Sequence, residues 1–454
     1  MRVLHISLGL PPLRSGGLTR YCTELMEAQC NSGHQASLLF PGRFMPGLTR
    51  IRKDSWHGIP TYEVINPLPV ALTYGTAEPA AFCTSCNAPD VYSRMLEEVS
   101  PEVIHVHSFQ GIHREFFEAA FKMGIPSVFT THDYYPICPR CTLITSWGEN
   151  CETGPTAEAC AICNAHAGMT MCRSRLMQSS LYARIKGSKL MRVVGPSAKR
   201  RMRKNYSSTS VNEEPPLPSF VAEFQQLLTY NRSYLPLLSL ALANSSVAMG
   251  VYRQNFPDAR FELFPITHSG LERNACPPPT RGNDAPLRIG YFGGEKEYKG
   301  YRTLLDAAGI LDSNGIHFEM FLYGDEYGSL PESSHAISQG RIAPEAMPDA
   351  LRALDLVVVP SKYQETFGFV VLEALCYRVP VICSDVVGAK DLVNKEYVFR
   401  VGDAQDLANK IERFCAAKVE LPSVPEGYPL SMSDEVERLT RAYLDAERVM
   451  CHPA

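Results

Sequence analysis

A β-branched run that leads straight into a helix, and from the helix into another such run, leaves a chain few folds to choose from. Leu354-Asp-Leu-Val-Val-Val-Pro360 reads as a buried strand, Phe369 to Tyr377 as a helix and Pro380-Val-Ile-Cys-Ser384 as the next strand. Strands joined through a helix run parallel, and parallel sheets carry helices on both faces. The same alternation opens the chain. Val3-Leu-His-Ile-Ser reads as a strand, Gly9 to Gly17 as a glycine loop, Leu18 to Asn31 as a helix and Gln35 to Phe40 as a strand. Two further strands, Pro101 to Ser108 and Pro126 to Asp133, enclose a helix over Glu115 to Met123. Residues 41–95 are rich in proline and glycine and give no clear element; they include Cys83-x-x-Cys86.

With 454 residues, one core is not enough, and two domains are expected. A Pro- and Gly-rich stretch, Asn274 to Pro286, separates two strand–helix series, the second starting at Leu287. The predicted organisation is an N-terminal Rossmann-like domain over 1–275 with a cysteine-rich insert at 138–172, a linker over 276–286 and a second Rossmann-like domain over 287–425. A helix over 430–454 is expected to pack back on the junction. A formal charge of −4 argues against a nucleic-acid partner. The N-terminus reads as a first strand and not as a signal peptide, and no clean transmembrane span is visible. A cytoplasmic protein is expected. A basic run, Lys199 to Lys204, is either a solvated helix face or a peripheral contact with anionic lipid at the inner face of the membrane.

Several residues sit where chemistry would be expected. Glu365 lies on the loop before the helix that starts near Phe367 to Phe369, and Glu373 lies within that helix. At ~1.5 Å per residue they stand about 9–12 Å apart along the axis, too far to grip one small group. They could hold two ends of a long ligand, with the helix N-terminus receiving a phosphate between them. Taken alone, such a pair is more often two exposed glutamates. Lys299 precedes a second helix and makes another anion site. Gly16 and Gly17 let a ligand approach a helix start, or simply make a tight turn. His107 and His132 end two strands, at the sheet edge where α/β proteins bind ligands. Each could equally be satisfied by neighbouring backbone.

Cys138-x-x-Cys141, Cys151, Cys160-x-x-Cys163 and Cys172 fall within about 35 residues, a spacing that suits thiolate ligation of a metal. The segment between the pairs shows turn residues and little core of its own. A structural zinc on Cys138, Cys151, Cys160 and Cys163 is the first reading. An iron–sulfur cluster, redox dithiols and unliganded thiols stay open.

In order along the chain stand Gly16-Gly17, Val103-Ile-His-Val-His107, Thr131-His132-Asp133, the loop from Gly293 to Gly300 with Lys299, and Tyr323-Gly-Asp325. Pro360-Ser-x-x-x-Glu365-x-Phe367-Gly368-x-x-x-Leu372-Glu373-Ala374 follows, with Pro-Val-Ile behind it. This series resembles the retaining family-4 glycosyltransferases (glycosyl transferases group 1) of the GT-B fold, from Met1 to about residue 415. The resemblance implies an α/β architecture of two doubly wound parallel-sheet domains facing a central cleft. It implies transfer of a hexosyl group from a UDP- or GDP-sugar to a glycan or lipid-linked acceptor, in cell-surface polysaccharide or glycoconjugate synthesis. By the same resemblance Glu365 holds donor-sugar hydroxyls, backbone around Phe367 and Gly368 receives the diphosphate, Glu373 binds the ribose and Lys299 pairs with phosphate. Gly16 and Gly17 approach the donor, and His132 lies by the anomeric carbon. No Asp-x-Asp occurs in the chain, which suits catalysis without a metal cofactor. Three features depart from the family. Gly294 stands where members often carry arginine, Gly388-Ala389 replaces a glycine pair, and the cysteine insert is not general. A nucleotide-sugar epimerase and a catalytically silent glycan-binding homologue are the alternative readings.

Overall fold

The computed structural model describes residues 1–14, 16–151, 154–179, 182, 215–271, 285–324, 327–328, 330–416 and 422–451. The Lys199–Lys204 run, the stretch Arg192–Ser197 whose sequence reads as a strand end, most of the linker and Asp325 lie outside them. The chain divides into two compact units: residues 1–244, 249–268 and 432–454 form one, and residues 245–248 with 269–431 form the other.

The first unit is built from β1 (Arg2–Ile6), α1 (Gly17–Asn31), β2 (Gln35–Pro41), β3 (Arg50–Trp56), β4 (Ile59–Ile65), α2 (Asp90–Val99), β5 (Val103–Val106), α3 (Arg114–Lys122) and β6 (Ser127–Thr130). It continues through α4 (Ala157–Asn164), α5 (Met171–Met177), α6 (Pro218–Arg232), β7 (Leu240–Ala243), α7 (Ser246–Asn255, whose first three residues group with the second unit) and β8 (Phe261–Leu263). The strands form one sheet in the order β3-β4-β2-β1-β5-β6-β7-β8, parallel except for the β3–β4 pair. Strand alternation sends Leu4, Ile6, Ile104 and Val106 into the large apolar core. His5 and His105, register partners on β1 and β5, turn the other way, toward α1.

The segment without a clear element in the sequence contains the β3–β4 hairpin, closed by His57 and Gly58, both at positive φ. Its first strand is almost wholly exposed, so it shows no apolar alternation. The cysteine insert draws its core from elsewhere in the chain: Ala157, Cys160, Ala161 and Met169 pack with Phe82 and with Phe224, Leu227 and Leu228 of α6.

The second unit holds β9 (Leu287–Tyr291), α8 (Tyr301–Ser313), β10 (Phe318–Tyr323), β11 (Ala336–Gly340), α9 (Met347–Arg352), β12 (Leu356–Val359), α10 (Phe369–Cys376), β13 (Val381–Ser384), β14 (Val398–Phe399) and α11 (Ala404–Ala416). Its all-parallel sheet runs β11-β10-β9-β12-β13-β14. The last helix, α12 (Met432–Cys451), belongs to the first unit and packs against α1. No helix among the described residues is long and apolar enough to cross a membrane.

Candidate active site

In the second unit the loop between β12 and α10 holds one half of a largely buried ion pair. Lys299 sits in a 3-10 turn directly before α8, and its Nζ lies 2.7 Å from Glu365 Oε1 and 3.2 Å from the Tyr363 hydroxyl. The ammonium also stands over the Tyr363 ring, 4.9 Å from its centroid. Ser361 Oγ donates to the other oxygen of Glu365 at 2.7 Å, and Ser384 Oγ donates to the Ser361 carbonyl. Burial pushes the Glu365 carboxyl up. The Lys299 charge, with hydrogen bonds from Lys299, Ser361 and Tyr363, outweighs that and holds it below the ordinary carboxylate range. Burial pulls Lys299 down, and Glu365 and Tyr363 more than restore it.

Backbone fixes this loop. Glu365 N donates to Val386 O, and Gly388 N donates to Glu365 O. Gly300, at φ 77°, starts α8 where a Cβ would fall 1.7 Å from the Pro360 carbonyl oxygen, so only glycine lets the Lys299 turn meet the end of β12. Gly368, at φ 98°, precedes α10, whose cap makes no side-chain hydrogen bond. Phe367 is buried beside it. Glu373 lies half-buried within α10. The structure therefore joins Glu365 and Lys299 directly and places Phe367, Gly368 and Glu373 at and after the helix start.

In the first unit, Gly16 and Gly17 are exposed at the start of α1. His132 follows β6, and its Nε2 lies 3.3 Å from Nδ1 of the fully buried His107. The Tyr21 ring packs on His132 with centroids 4.8 Å apart, and the Tyr21 hydroxyl donates to Glu435 at 2.6 Å. Burial lowers His132 to about 3, so its imidazole is neutral near pH 7. Asp133 accepts from Ser108 Oγ and from Tyr135 N, bonds that partly offset the upward push of burial on its carboxyl.

Cys138, Cys151, Cys160 and Cys163 are near enough that charge on one raises the pKa of others, after the larger effect of burial. Cys138 takes hydrogen bonds from the backbone of Arg140, Thr142 and Leu143, which favour its thiolate. Cys141 instead turns to the Leu72 carbonyl. Among the described residues these cysteines do not draw three ligand atoms within 4.8 Å of one another; His5, His105 and His107 do.

Sequence reasoning missed His5, Gln29, Glu435 and Tyr443, which gather in the same buried polar region as His107. Their one signal was polarity inside apolar elements: a histidine in the middle of Val3-Leu-His-Ile, and a glutamine on the inner face of α1.

The Glycosyl transferases group 1 model matches residues 286–417, and the Glycosyl transferase 4-like domain matches residues 16–165. TuaC of Bacillus subtilis, named for teichuronic acid biosynthesis, is 34% identical over 27% of this chain and 30% of its own length. The capsular polysaccharide biosynthesis glycosyltransferase CapM of Staphylococcus aureus is 29% identical over 38% of this chain and 47% of its own. The matched stretches thus span less than half of either relative. Sucrose-phosphate synthase of Thermosynechococcus elongatus is similar over 99% of this chain and 98% of its own, with 16% identity and a TM-score of 0.53. A trehalose-6-phosphate protein from E. coli, bound with UDP-2-fluoro glucose, is similar over 99% and 95%, with 11% identity and a TM-score of 0.50. With one family match on each half and two parallel sheets beneath them, the chain belongs to the group 1, family-4-like glycosyltransferases of the GT-B fold.

Proposed function

We propose that this protein transfers a hexosyl group, with retention, from a nucleotide-diphosphate sugar to a glycan or lipid-linked acceptor in cell-surface polysaccharide synthesis. The observation that carries this reading is the Lys299–Glu365 pair, braced by Ser361 and Tyr363, beside the glycine-started helix α10. Glu365 offers acceptor oxygens to sugar hydroxyls. Lys299, one side chain away, offers the positive charge that a departing diphosphate needs. The N-terminus of α10 adds its dipole for the phosphates, and Glu373 further along the helix takes the ribose. His132, neutral, serves at the anomeric carbon. In the step itself the bond from the anomeric carbon to phosphate oxygen breaks. A bond to the acceptor oxygen forms on the same face, and the acceptor proton passes to the leaving phosphate oxygen. The GT-B neighbour with UDP-2-fluoro glucose supports a uridine donor as the first to try. Contact with the inner membrane face is part of the proposal where the acceptor is lipid-linked.

The cysteine insert is proposed to hold one structural zinc on Cys138, Cys151, Cys160 and Cys163. Support comes from thiols near enough to feel one another's charge, though no three of them fall within 4.8 Å among the described residues, and from the N–H groups on Cys138. Zinc would supply the positive charge that lets buried thiols ionise.

The test is nucleotide release from a panel of UDP-, GDP- and ADP-sugars, with and without glycan or lipid-linked acceptors. Acceptor-dependent release supports transfer. Conversion to a sugar epimer without acceptor would make the protein an epimerase. No turnover and no nucleotide-dependent change in melting would make it a silent homologue.

A further inference from the structure

Behind His132 the first unit buries a continuous chain of hydrogen-bonding side chains. His132 Nε2 lies 3.3 Å from His107 Nδ1, His107 Nε2 lies 3.0 Å from His5 Nδ1, and His5 Nε2 lies 2.7 Å from Gln29 Oε1. From Gln29 the chain continues through its Nε2, 3.3 Å from the Tyr443 hydroxyl, to His105 Nδ1 at 2.7 Å and from His105 Nε2 to Thr130 Oγ1 at 2.8 Å. His5, His105 and His107 are wholly buried, and burial lowers all four imidazoles below their ordinary range. Each ring is therefore neutral and carries a single N–H, so each donates at one nitrogen and accepts at the other.

That rule makes the direction of the chain all-or-none. With the Gln29 carbonyl facing His5, His5 must donate from Nε2 and accept at Nδ1. His107 must then donate from Nε2 and accept at Nδ1, and His132 must donate from Nε2. On the other arm the Gln29 amide N–H donates to the Tyr443 oxygen, Tyr443 donates to His105 Nδ1, and His105 donates from Nε2 to Thr130. All four histidines take the Nε2–H form. Turning the Gln29 amide over would reverse every bond in both arms. The amide has one carbonyl and one NH2, and it sits where the two arms meet, so it decides between the two states. The three buried histidines also bring ring nitrogens within 4.8 Å of one another, a spacing that a metal could use. All six of those nitrogens already have a hydrogen-bond partner, and the network is complete without an ion.

We propose that Gln29 is a positioning residue: through His5 and His107 it fixes His132 as the Nε2–H tautomer and so makes Nδ1 of His132 its hydrogen-bond-accepting nitrogen. The tautomer claim stands on the hydrogen-bond geometry and on the neutrality of the buried rings. Its consequence for turnover rests on the reading of His132 given above.

The test is long-range proton–nitrogen NMR on the full chain with 15N-labelled histidine, assigned by single His→Gln variants. His132, His107, His5 and His105 are expected to show the Nε2–H pattern. Gln29→Leu removes the acceptor for His5. Tyr443→Phe keeps the ring but frees the other side of the amide. Both variants are expected to give His132 a mixture of tautomers and to lower kcat about tenfold at unchanged KM for the donor found in the release panel. An Nδ1–H pattern for His132 in the unaltered protein would overturn the proposal, as would an unchanged His132 pattern in both variants. Zinc that survives Cys160→Ser/Cys163→Ser but leaves with His5→Gln would also overturn it, in favour of a metal site. A shifted tautomer with unchanged kcat would uphold the relay and remove His132 from the transfer.

Discussion

Lys299 Nζ and Glu365 Oε1 stand 2.7 Å apart, although 66 positions separate them in the chain. Side-chain exposures of 24% and 12% make this a largely buried pair. Removing one partner leaves the other charge with poor compensation. Glu365→Gln should therefore lower stability by about 3 kcal/mol, near the lower end for buried pairs because Lys299 keeps some water. The same change should lower turnover on the order of 10²-fold. Urea unfolding and single-turnover nucleotide release check the two effects separately. Because the carboxyl lies below its ordinary range, its contribution is present above pH ~4.3 and lost as pH falls through the folded value. The gap between variant and parent should close in acid.

Glu373 should behave differently from Glu365. It lies on α10, beyond the loop that holds Lys299. Glu373→Ala should weaken nucleotide-sugar binding about tenfold, the worth of about 1.4 kcal/mol. Glu365→Ala should lower turnover more than it lowers nucleotide affinity. Calorimetric titration with the nucleotide diphosphate and steady-state kinetics rank the two, and the opposite order would reverse the assignment.

The first unit should be labile to mild acid. Burial lowers His5 and His113 to about 4, His132 to about 3, and His105 and His107 well below the ordinary value. In the unfolded chain all five take up protons near pH 6.5, which the folded protein refuses until lower pH. Their contribution is present above pH 6.5 and lost as pH falls. Glu435 opposes them. Burial raises its carboxyl to about 7, so its own contribution is lost as pH rises from ~4.5 to about 7. Five groups against one leave a net loss below pH 6.5, on the order of 1.4 kcal/mol per pH unit for each uncompensated histidine. Denaturant midpoints at pH 8, 7, 6 and 5 measure it, and equal midpoints at pH 7 and 5 would contradict the assignment.

Metal analysis of the purified chain should find about one zinc, lost in Cys160→Ser/Cys163→Ser together with a lower melting temperature. Zinc-free protein with an intact melting curve would exclude the structural zinc.

Gly300→Ala should cost at least about 3 kcal/mol, since it combines a positive φ with a Cβ 1.7 Å from a backbone oxygen. The Lys299 turn would be pushed from the end of β12, so turnover should fall with stability. An alanine variant as stable as the parent would show that the turn has room to shift.

Much of the second unit was legible from the sequence because its central strands are buried on both faces. Leu356–Val359 and Val381–Ser384 read as unbroken apolar runs, and α10 starts where Gly368 breaks the pattern. The β3–β4 hairpin was not legible. Its edge strand is exposed, and its turn is His-Gly, where the commoner signal is Asn-Gly. The polar chain behind His132 was hidden for another reason. Its members come from α1, β1, β5, β6 and α12, and no local pattern marks residues that meet only through tertiary packing. The direct Lys299–Glu365 bond was equally invisible, since each residue had been read as an anchor for a different part of the donor.

The first unit is discontinuous, and this bears on how the chain can be cut. Tyr21 reaches its carboxylate at Glu435, 414 positions later, and His105 reaches its hydroxyl at Tyr443, 338 positions later. A fragment ending at residue 268 would expose the inner face of α1 and strip Tyr21, Gln29 and His105 of a buried partner each. A version of the first unit that keeps these partners joins residues 1–268 to 432–454. The second unit is then nearly one block of sequence, 269–431, and takes only residues 245–248 from within the first.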